Sequence, residues 1–290
     1  MKNPADQGAP LPSTVCSNGE RVLYHYSNYY GLTGIVSSKA IWCSQIQYLN
    51  DSGELRHGLD ILAGVAKKYA KDVPSLDNIA TRTGQFYSVN VFVCSFSEAG
   101  DTLSQWRGYS GGSGVSIAFS FEKLNEKAAL YGYSLNKCIY DNKEKISIAE
   151  RYVEEYIKAN SDCLTDDNFS SKIVSNFVPI AALFKDRGFA EEQEWRLISP
   201  LTSSAEGIIK TRPTATGLIP YTVFDLKTGV FPFLSKSQPW RSEEHICIEE
   251  VVVGPNHEKK LQVSSVHTLF DSHHAAKPIV KSSLIPFRII

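Results

Sequence analysis

The sequence predicts an α+β fold, a single domain with a central mixed sheet flanked by helices, and three observations lead to this prediction. Helical patterns are concentrated in the first two thirds of the chain and strand patterns in the last third, so a strictly alternating parallel sheet is not expected. The chain has 290 residues, 42% of them hydrophobic, which is enough for a sizeable core. No internal repeat or long linker interrupts residues 21–290, which favours one domain.

The first 20 residues differ in composition from the rest. They are rich in Pro, Gly, Ser, Asn and Asp, and this predicts a disordered leader. They contain no apolar stretch typical of a secretion signal, and no window of the chain is long and apolar enough for a membrane span, so we expect a cytoplasmic protein without a membrane partner. A net charge of -1 supplies no long-range attraction to nucleic acid or anionic lipid.

Hydrophobic periodicity predicts the elements in chain order. The first half predicts strands at residues 21–26, 40–44, 91–97 and 114–121 and helices at 30–39 and 54–69. Helices follow around residues 149–157 and 173–184, where Pro179 is expected to shift or kink the second. The last third predicts a helix at residues 258–270 and strands at 194–199, 207–211, 218–224, 246–253 and 278–283.

The six cysteines do not indicate a metal site. No two of them are spaced as a Cys-x-x-Cys pair, and no set of His, Cys and Glu has compact ligand spacing, so no metal is expected. Cys43, Cys94 and Cys247 lie within apolar strand-like runs, which predicts that they are reduced core residues.

Two early segments carry polar or aromatic side chains beside apolar strands. In the first predicted strand, His25 and Ser27 share a face. Their side chains either bind a ligand hydroxyl or form hydrogen bonds with the backbone. Tyr48 stands before Asp51 and Glu54, a pair typical of a helix capping box. The ring of Tyr48 then either lines a pocket or closes the core.

Two middle segments also suggest a binding site. Ser95 and Ser97 point the same way from an apolar strand, and each buried hydroxyl without a partner costs roughly 1–3 kcal/mol. A neighbouring strand or a ligand would supply the partner. Trp106 and Arg107 precede a glycine-rich loop, and arginine forks onto phosphate or carboxylate. Because no Lys follows, the loop is not a P-loop, and a plain turn with a packed Trp explains it equally well.

Glu192, Glu194 and Arg196 would share one face if the late strand extended back to Glu192. Crowded carboxylates repel each other, and Arg196 would relieve the repulsion. This pattern fits either a solvated strand edge or an active-site carboxylate. As the acting carboxylate we favour Glu194, because Trp195 would shield it and Arg196 would keep it ionised, whereas Glu192 would orient an acceptor or simply reduce repulsion.

In these segments the chain resembles a bacterial family known as the domain of unknown function number 2971. The resemblance extends in order along nearly the whole chain, through residues 23–27, 48–54, 95–98, 103–109, 114–119, 192–197, 219–221, 253–255 and 283–288. The Gln-Trp-Arg-Gly-Tyr and Glu-Trp-Arg segments are its most specific parts.

The order of His25, the Ser95-Phe96-Ser97 segment and the late glutamates also resembles that of ADP-ribosyltransferases, and the opening Tyr-His-Tyr-Ser resembles that of DarT-like toxins. Phe96 departs from the central Thr of their usual triplet. The resemblance implies NAD as substrate and no metal. It implies catalytic roles for Glu194 and Glu192, and NAD contacts through His25, Ser27, Tyr48, Ser95, Ser97, Trp106 and Arg107.

Two functions follow as expectations. The first is an enzyme that transfers ADP-ribose to a macromolecular acceptor, protein or nucleic acid, or hydrolyses NAD, as a toxin or defence effector. This interpretation expects His25, Ser95, Trp106, Arg107 and Glu194 to converge on one cleft, and it requires that His25 and Glu194 do not lie on opposite faces of the sheet. The second is a non-catalytic sensor or interaction module that binds a nucleotide or peptide.

Overall fold

Every strand among the described residues belongs to one mixed sheet. The computed structural model describes residues 11–16, 18–49, 53–85, 89–110, 113–166, 168–215, 217–227, 246–273, 275 and 277–286. The strands are β1 (Val22–Ser27), β2 (Ala40–Gln45), β3 (Phe92–Ser97), β4 (Val115–Ser120), β5 (Ser134–Lys137), β6 (Glu194–Ile198), β7 (Lys210–Thr214), β8 (Gly217–Asp225), β9 (Ile248–Val253) and β10 (Ile279–Ser282). The helices are α1 (Tyr29–Ser38), α2 (Glu54–Ala66), α3 (Ile79–Gln85), α4 (Leu103–Tyr109), α5 (Phe121–Leu130), α6 (Asn142–Ala159), α7 (Phe169–Ala181) and α8 (Lys259–Ser272).

The strand order confirms the predicted α+β class with a central mixed sheet. The strands follow the order β10-β9-β4-β1-β3-β2-β8-β7, while β6 pairs with β3 and β5 pairs with β6. β9 and β10 are parallel, and the other pairs are antiparallel. Helices pack against both faces in a single body.

The sheet splits between β1 and β2. Along one edge of β3, β1 pairs only where Tyr24 meets Ser97, and β2 pairs only beside Phe92 and Val93. Within the described part of the chain, residues 94–96 therefore have no strand partner on that edge. β6 pairs with the opposite edge along its whole length. Backbone groups facing such a gap need other partners, and the gap leaves space inside the sheet.

Two apolar clusters stabilise the body from opposite faces of this sheet, because successive side chains of a strand alternate. Phe92 and Phe96 of β3 belong to the cluster that holds the buried side chains of α1, α5 and α8. Val93 belongs to the cluster formed with α2, α3, α6 and α7. Burying each large apolar side chain contributes roughly 1.5–3 kcal/mol, which explains why both faces are covered.

Several predicted elements have different bounds in the structure. The segment around Trp106, interpreted as a turn, forms helix α4. β6 begins at Glu194 and not at Glu192, and β7 begins at Lys210, three residues later than predicted. Helix α7 continues through Pro179 to Ala181, because most of its last two turns are buried in the apolar cluster.

Part of the predicted leader contacts the body. The hydroxyl of Ser13 donates to the carboxylate of Glu98 at 2.8 Å, and that of Thr14 donates to the Glu98 carbonyl at 2.6 Å. Cys16 is buried. These contacts are those of an ordered segment, whereas composition alone predicted disorder up to residue 20. Residues 1–10 and 17 of the leader lie outside the described residues.

Other predictions concern the core and the membrane. Cys43, Cys94 and Cys247 are buried and free, as predicted. No helix in the described part of the chain is long and apolar enough to cross a bilayer.

Candidate functional site

A cavity of about 660 Å³ occupies the split in the sheet. β1 contributes His25 and Ser27 to its wall, β3 contributes Ser95, and β6 contributes Glu194. Tyr48, half exposed on the turn after β2, lies at the rim. Five of the sequence-predicted site residues therefore line one space, although they are far apart in the sequence. A volume of this size suits a ligand of nucleotide or dinucleotide dimensions.

The start of α1 shapes the floor of the cavity. A Cβ atom at Gly31 would lie 2.0 Å from Oγ of Ser27, so a larger residue at this position would force the Ser27 hydroxyl to move. Asn28 caps the helix by accepting from the Gly31 amide at 2.8 Å. The two residues thus fix the position of Ser27 beside the cavity.

His25 closes part of the split. Its Nδ1 lies 2.9 Å from the carbonyl oxygen of Ser95, a group that β1 and β2 leave unpaired. The bond assigns the proton to Nδ1, so Nε2 is an acceptor in the neutral ring. Burial lowers the pKa of His25, with Arg212 acting in the same direction, against the bond to Ser95. His25 is therefore a neutral acceptor at physiological pH, as a ligand hydroxyl requires.

Glu194 is held by Arg196 on the same face of β6. Nε of Arg196 donates to Oε1 of Glu194 at 2.9 Å, and Nη2 donates to Oε2 at 3.2 Å. Lys185 donates to Oε2 as well. Burial by itself would raise the pKa of Glu194, but Arg196 and Lys185 outweigh it and lower the pKa to about 2. The predicted pairing of Glu194 with Arg196 is confirmed.

Glu192 reaches the same lysine from a different element. It ends a 3-10 helix, and Gln193 takes a left-handed backbone conformation, φ 45°, before β6 begins. Glu192 therefore does not share a strand face with Glu194, although the sequence had suggested that it would. Its carboxylate accepts from Lys185 and, at 2.9 Å, from the hydroxyl of Tyr109. Glu192 lines a small pocket of about 60 Å³ that also contains Ser97 and Glu194.

Glu54 is part of the cavity wall, and its interpretation as a capping residue was wrong. Asp51 lies outside the described residues, and Gly53 takes the cap position. Glu54 is 4% exposed, and its side chain accepts from Nη2 of Arg196. Burial raises its pKa to about 7, although Arg196 and Lys185 lower it.

Arg212 provides a cationic group at another part of the cavity wall. Its Nη2 donates to Oγ of Ser44 at 2.9 Å, and its guanidinium lies 5.8 Å from the ring centre of Trp42. Trp42 in turn stacks on Tyr221 at 4.4 Å. Nε of Arg212 is buried and has no hydrogen-bond partner among the described residues. A cation backed by aromatic rings suits a phosphate or carboxylate.

Three predicted binding residues do not serve the cavity. Trp106 is fully buried, packs edge-on against Tyr26, and donates from Nε1 to Asp101 at 2.7 Å. Its environment is that of a core residue, so the structure gives no support to a stacking role. Arg107 is exposed on α4 and does not line the cavity. Ser97 does not line it either, since its hydroxyl donates to the Glu192 carbonyl at 2.7 Å.

The register places His25 and Glu194 on opposite faces of the sheet. Tyr24 lies beside Ser97, and Ser97 lies beside Glu194, so these three share one face. His25, the next residue of β1, points to the other face. Both residues still line the same cavity because it passes through the split. Of the five residues expected to converge, His25, Ser95 and Glu194 line the cavity, whereas Trp106 and Arg107 do not, and the expectation of a common face for His25 and Glu194 is wrong.

Lys185, Arg212 and Trp42 line the cavity but were not predicted as site residues, and Glu54 was predicted to be a capping residue. Lys185 lies just after α7, where a lone lysine gives no periodic signal. Arg212 alternates with polar residues in a hairpin, a pattern typical of a solvated edge strand. The usable signal was Glu54, a charged residue that begins an otherwise apolar helix face.

A family model described as "Protein of unknown function (DUF2971)" matches residues 105–197, about a third of the chain. The match confirms the resemblance to this family over that part, which includes most of α4, Lys185 and the Glu194–Arg196 pair. No curated protein and no solved structure matches the chain. Among the described residues, no group of His, Cys, Asp and Glu is arranged to hold a metal ion.

Proposed function

We propose that the protein binds NAD in the split-sheet cavity and cleaves its nicotinamide–ribose bond, transferring ADP-ribose to a macromolecule, protein or nucleic acid, or to water. The observation that carries this proposal is the convergence of His25, Ser27, Ser95 and Glu194 on one cavity of about 660 Å³. In a toxin or defence effector of this kind, the chain would act on NAD inside the cell.

Cleavage of the glycosidic bond develops positive charge on the ribose. An ionised carboxylate beside that sugar stabilises the charge, and a hydrogen bond to a ribose hydroxyl fixes the sugar. Glu194 suits this role because Arg196 and Lys185 keep its pKa at about 2 in a buried position. No proton has to be removed before it can act.

Glu194 also retains room for a ligand. A carboxylate accepts about four hydrogen bonds. Oε2 receives bonds from Lys185 and Arg196, whereas Oε1 receives only the one from Arg196 among the described residues. The remaining site on Oε1 would accept a ribose hydroxyl. His25 would accept a second hydroxyl at Nε2, and Arg212 would pair with the pyrophosphate.

A second function is favoured by the same ion pairs. Two cations next to Glu194 neutralise much of its field, as in a purely structural cluster. The opposite sheet faces of His25 and Glu194 also depart from the expectation for a transferase. These observations favour a non-catalytic sensor that binds a nucleotide-type ligand in the cavity.

Nicotinamide release from NAD distinguishes the two functions. We expect the wild-type protein to release nicotinamide, and Glu194→Gln to lower turnover by about a hundredfold or more, comparable with the loss of one preorganised electrostatic group. NAD affinity, measured by calorimetry, should change little because the amide keeps the shape. Binding of NAD without any release, in wild type and variant alike, would favour the sensor.

Glu98→Gln is the matched control. Glu98 is also 4% exposed and ion-paired, but it does not line the cavity. We expect this variant to lose stability while its turnover per folded molecule stays at the wild-type value. An equal loss of turnover in both variants would assign the effect to the fold rather than to Glu194.

A further inference from the structure

Glu54 has an oxygen atom with no function in the fold. Oε2 accepts from Arg196, but Oε1 is buried and has no hydrogen-bond partner among the described residues. Nζ of Lys185 lies 3.9 Å from this oxygen, beyond hydrogen-bond distance. Leaving a buried carboxylate oxygen without a hydrogen-bond partner costs free energy. A structural role for Glu54 therefore accounts for Oε2, which accepts from Arg196, but not for Oε1.

The contacts within the surrounding cluster of ion pairs make Glu54 the carboxylate that exchanges a proton. Glu54, Glu192 and Glu194 face two cations, Lys185 and Arg196. Glu194 contacts both cations directly, whereas Glu54 contacts only Arg196 closely. Glu192 contacts Lys185 and the hydroxyl of Tyr109, so Glu54, with one oxygen unpartnered, is the carboxylate of the three that most easily takes up a proton.

We propose that Glu54 is the general base of the cavity, and this inference rests on the proposed function. In the transfer step, the C1′–N bond of the nicotinamide riboside breaks and its electron pair stays on the nicotinamide nitrogen. The oxygen of water, or of an acceptor hydroxyl, forms the new bond to C1′. Its proton moves to Oε1 of Glu54 and then to solvent. Glu194 stabilises the positive sugar, so the two carboxylates have separate roles.

The protonation state of Glu54 fits this role. Burial raises its pKa to about 7, near the pH at which a general base is most effective. The charged and titratable groups that face Glu54 come from four segments of the chain: Arg196 and Glu194 from β6, Lys185 after α7, Lys145 from α6 and the Cys138 thiol after β5. The two cations nearest to Glu54 favour its ionised form, and Glu194 favours its protonated form.

The pH dependence of nicotinamide release tests the assignment. In the wild type, the rate should fall as the pH drops through about 7, because Glu54 becomes protonated. Glu54→Gln keeps an acceptor for Arg196 and removes the base, so we expect at least a hundredfold lower turnover and no acid limb. Glu54→Asp keeps the charge that Arg196 needs, and it should retain the limb at a reduced rate. Added formate should partly restore the rate of Glu54→Ala.

The outcomes separate the two proposals. If the wild type releases no nicotinamide, the proposed function fails and the general base fails with it. If the wild type is active but Glu54→Gln keeps both the rate and the acid limb, only the general base is overturned. It is also overturned if Glu54→Gln is slow but keeps the limb and formate has no effect on Glu54→Ala, because Glu54 would then act only as a partner of Arg196.

An infrared titration supplies a readout that does not depend on turnover. Between pH 5 and 8, the wild-type protein should lose the band of one protonated carboxyl group, and Glu54→Gln should lack this change. Glu98→Gln should show the same change as the wild type, since burial is outweighed by its hydrogen-bond donors and the pKa of Glu98 is lowered. A band that persists in Glu54→Gln would assign the proton elsewhere and overturn the proposal.

Discussion

Two buried carboxylates, Glu98 and Glu54, are equally hidden from solvent and differ in what satisfies them. Both are 4% exposed. Oε1 of Glu98 accepts from Lys137 at 2.7 Å and from Trp195 at 2.8 Å, and Oε2 accepts from Ser13 at 2.8 Å. Glu54 lines the cavity and has a partner for only one oxygen, whereas the other is buried without a partner among the described residues. Complete pairing identifies Glu98 as structural.

Burial and ion pairing do not by themselves identify a functional carboxylate, since Glu98 and Glu54 share both features. The pKa of Glu98 is lowered because the bonds from Lys137, Trp195 and Ser13 outweigh burial. The pKa of Glu54 is raised because burial outweighs its single close cation. A partly satisfied group beside a cavity is the better indicator, since a ligand or nucleophile can complete it.

Loss of the central cation should have the largest effect. Arg196→Met leaves the carboxylates of Glu54 and Glu194 without their shared partner in a buried position, so we expect the free energy of unfolding to fall by about 3–5 kcal/mol. Lys137→Met should cost about 1 kcal/mol or less, because Lys137 is partly exposed and Glu98 keeps Trp195 and Ser13. Urea denaturation measures both. Equal losses of unfolding free energy in the two variants would show that the ion pairs of Glu54 and Glu194 contribute no more than that of Glu98.

The pH dependence of stability should differ in sign between the two carboxylates. The pKa of Glu54 is raised from 4.5 to about 7, so its favourable contribution is complete below pH 4.5 and is lost as the pH rises through about 7. Glu98 and Glu194 have lowered pKa values, and their contributions are lost only as the pH falls below 4.5. From pH 5 to 8, the free energy of unfolding of the wild type should fall by about 2–3 kcal/mol relative to that of Glu54→Gln.

Urea denaturation at pH 5 and at pH 8 measures this difference. The profile of Glu98→Gln should run parallel to that of the wild type over the same range, because Glu98 is ionised throughout. If the profile of Glu54→Gln also ran parallel to the wild type, the proton would not reside on Glu54.

Arg212 is a cation that, like Glu54, has hydrogen-bond partners for only part of its charged group. Its removal should have the smallest of the effects predicted for these variants. Arg212→Gln removes the charge and the unpartnered Nε, so we expect the affinity for NAD to fall about tenfold, consistent with one charge-assisted hydrogen bond. Stability should change little, because Arg212 lies on the edge hairpin of β7 and β8. Calorimetry measures the affinity. Unchanged affinity would remove Arg212 from the ligand site.

Much of the fold could be predicted from the sequence, whereas helix α4 depends in part on contacts that the local sequence does not show. Apolar alternation found β3, β4, β8 and β9, because these strands are buried on at least one face. Helix α4 was taken for a turn, because Gly108 and the following glycines are typical of loops. Its apolar Trp106 is held by tertiary contacts that no local pattern reports.

The candidate site divides in the same way. The pairing of Glu194 with Arg196 could be predicted from the sequence, since residues two apart on a strand share a face. His25, Ser27, Tyr48 and Ser95, which line the cavity, were also predicted from the sequence. That Glu54 and Lys185 join this cluster and that Trp106 does not depends on how distant segments pack, so the local sequence contains no signal for it. The split between β1 and β2, which creates the cavity, is a property of strand pairing and leaves no local trace in the sequence.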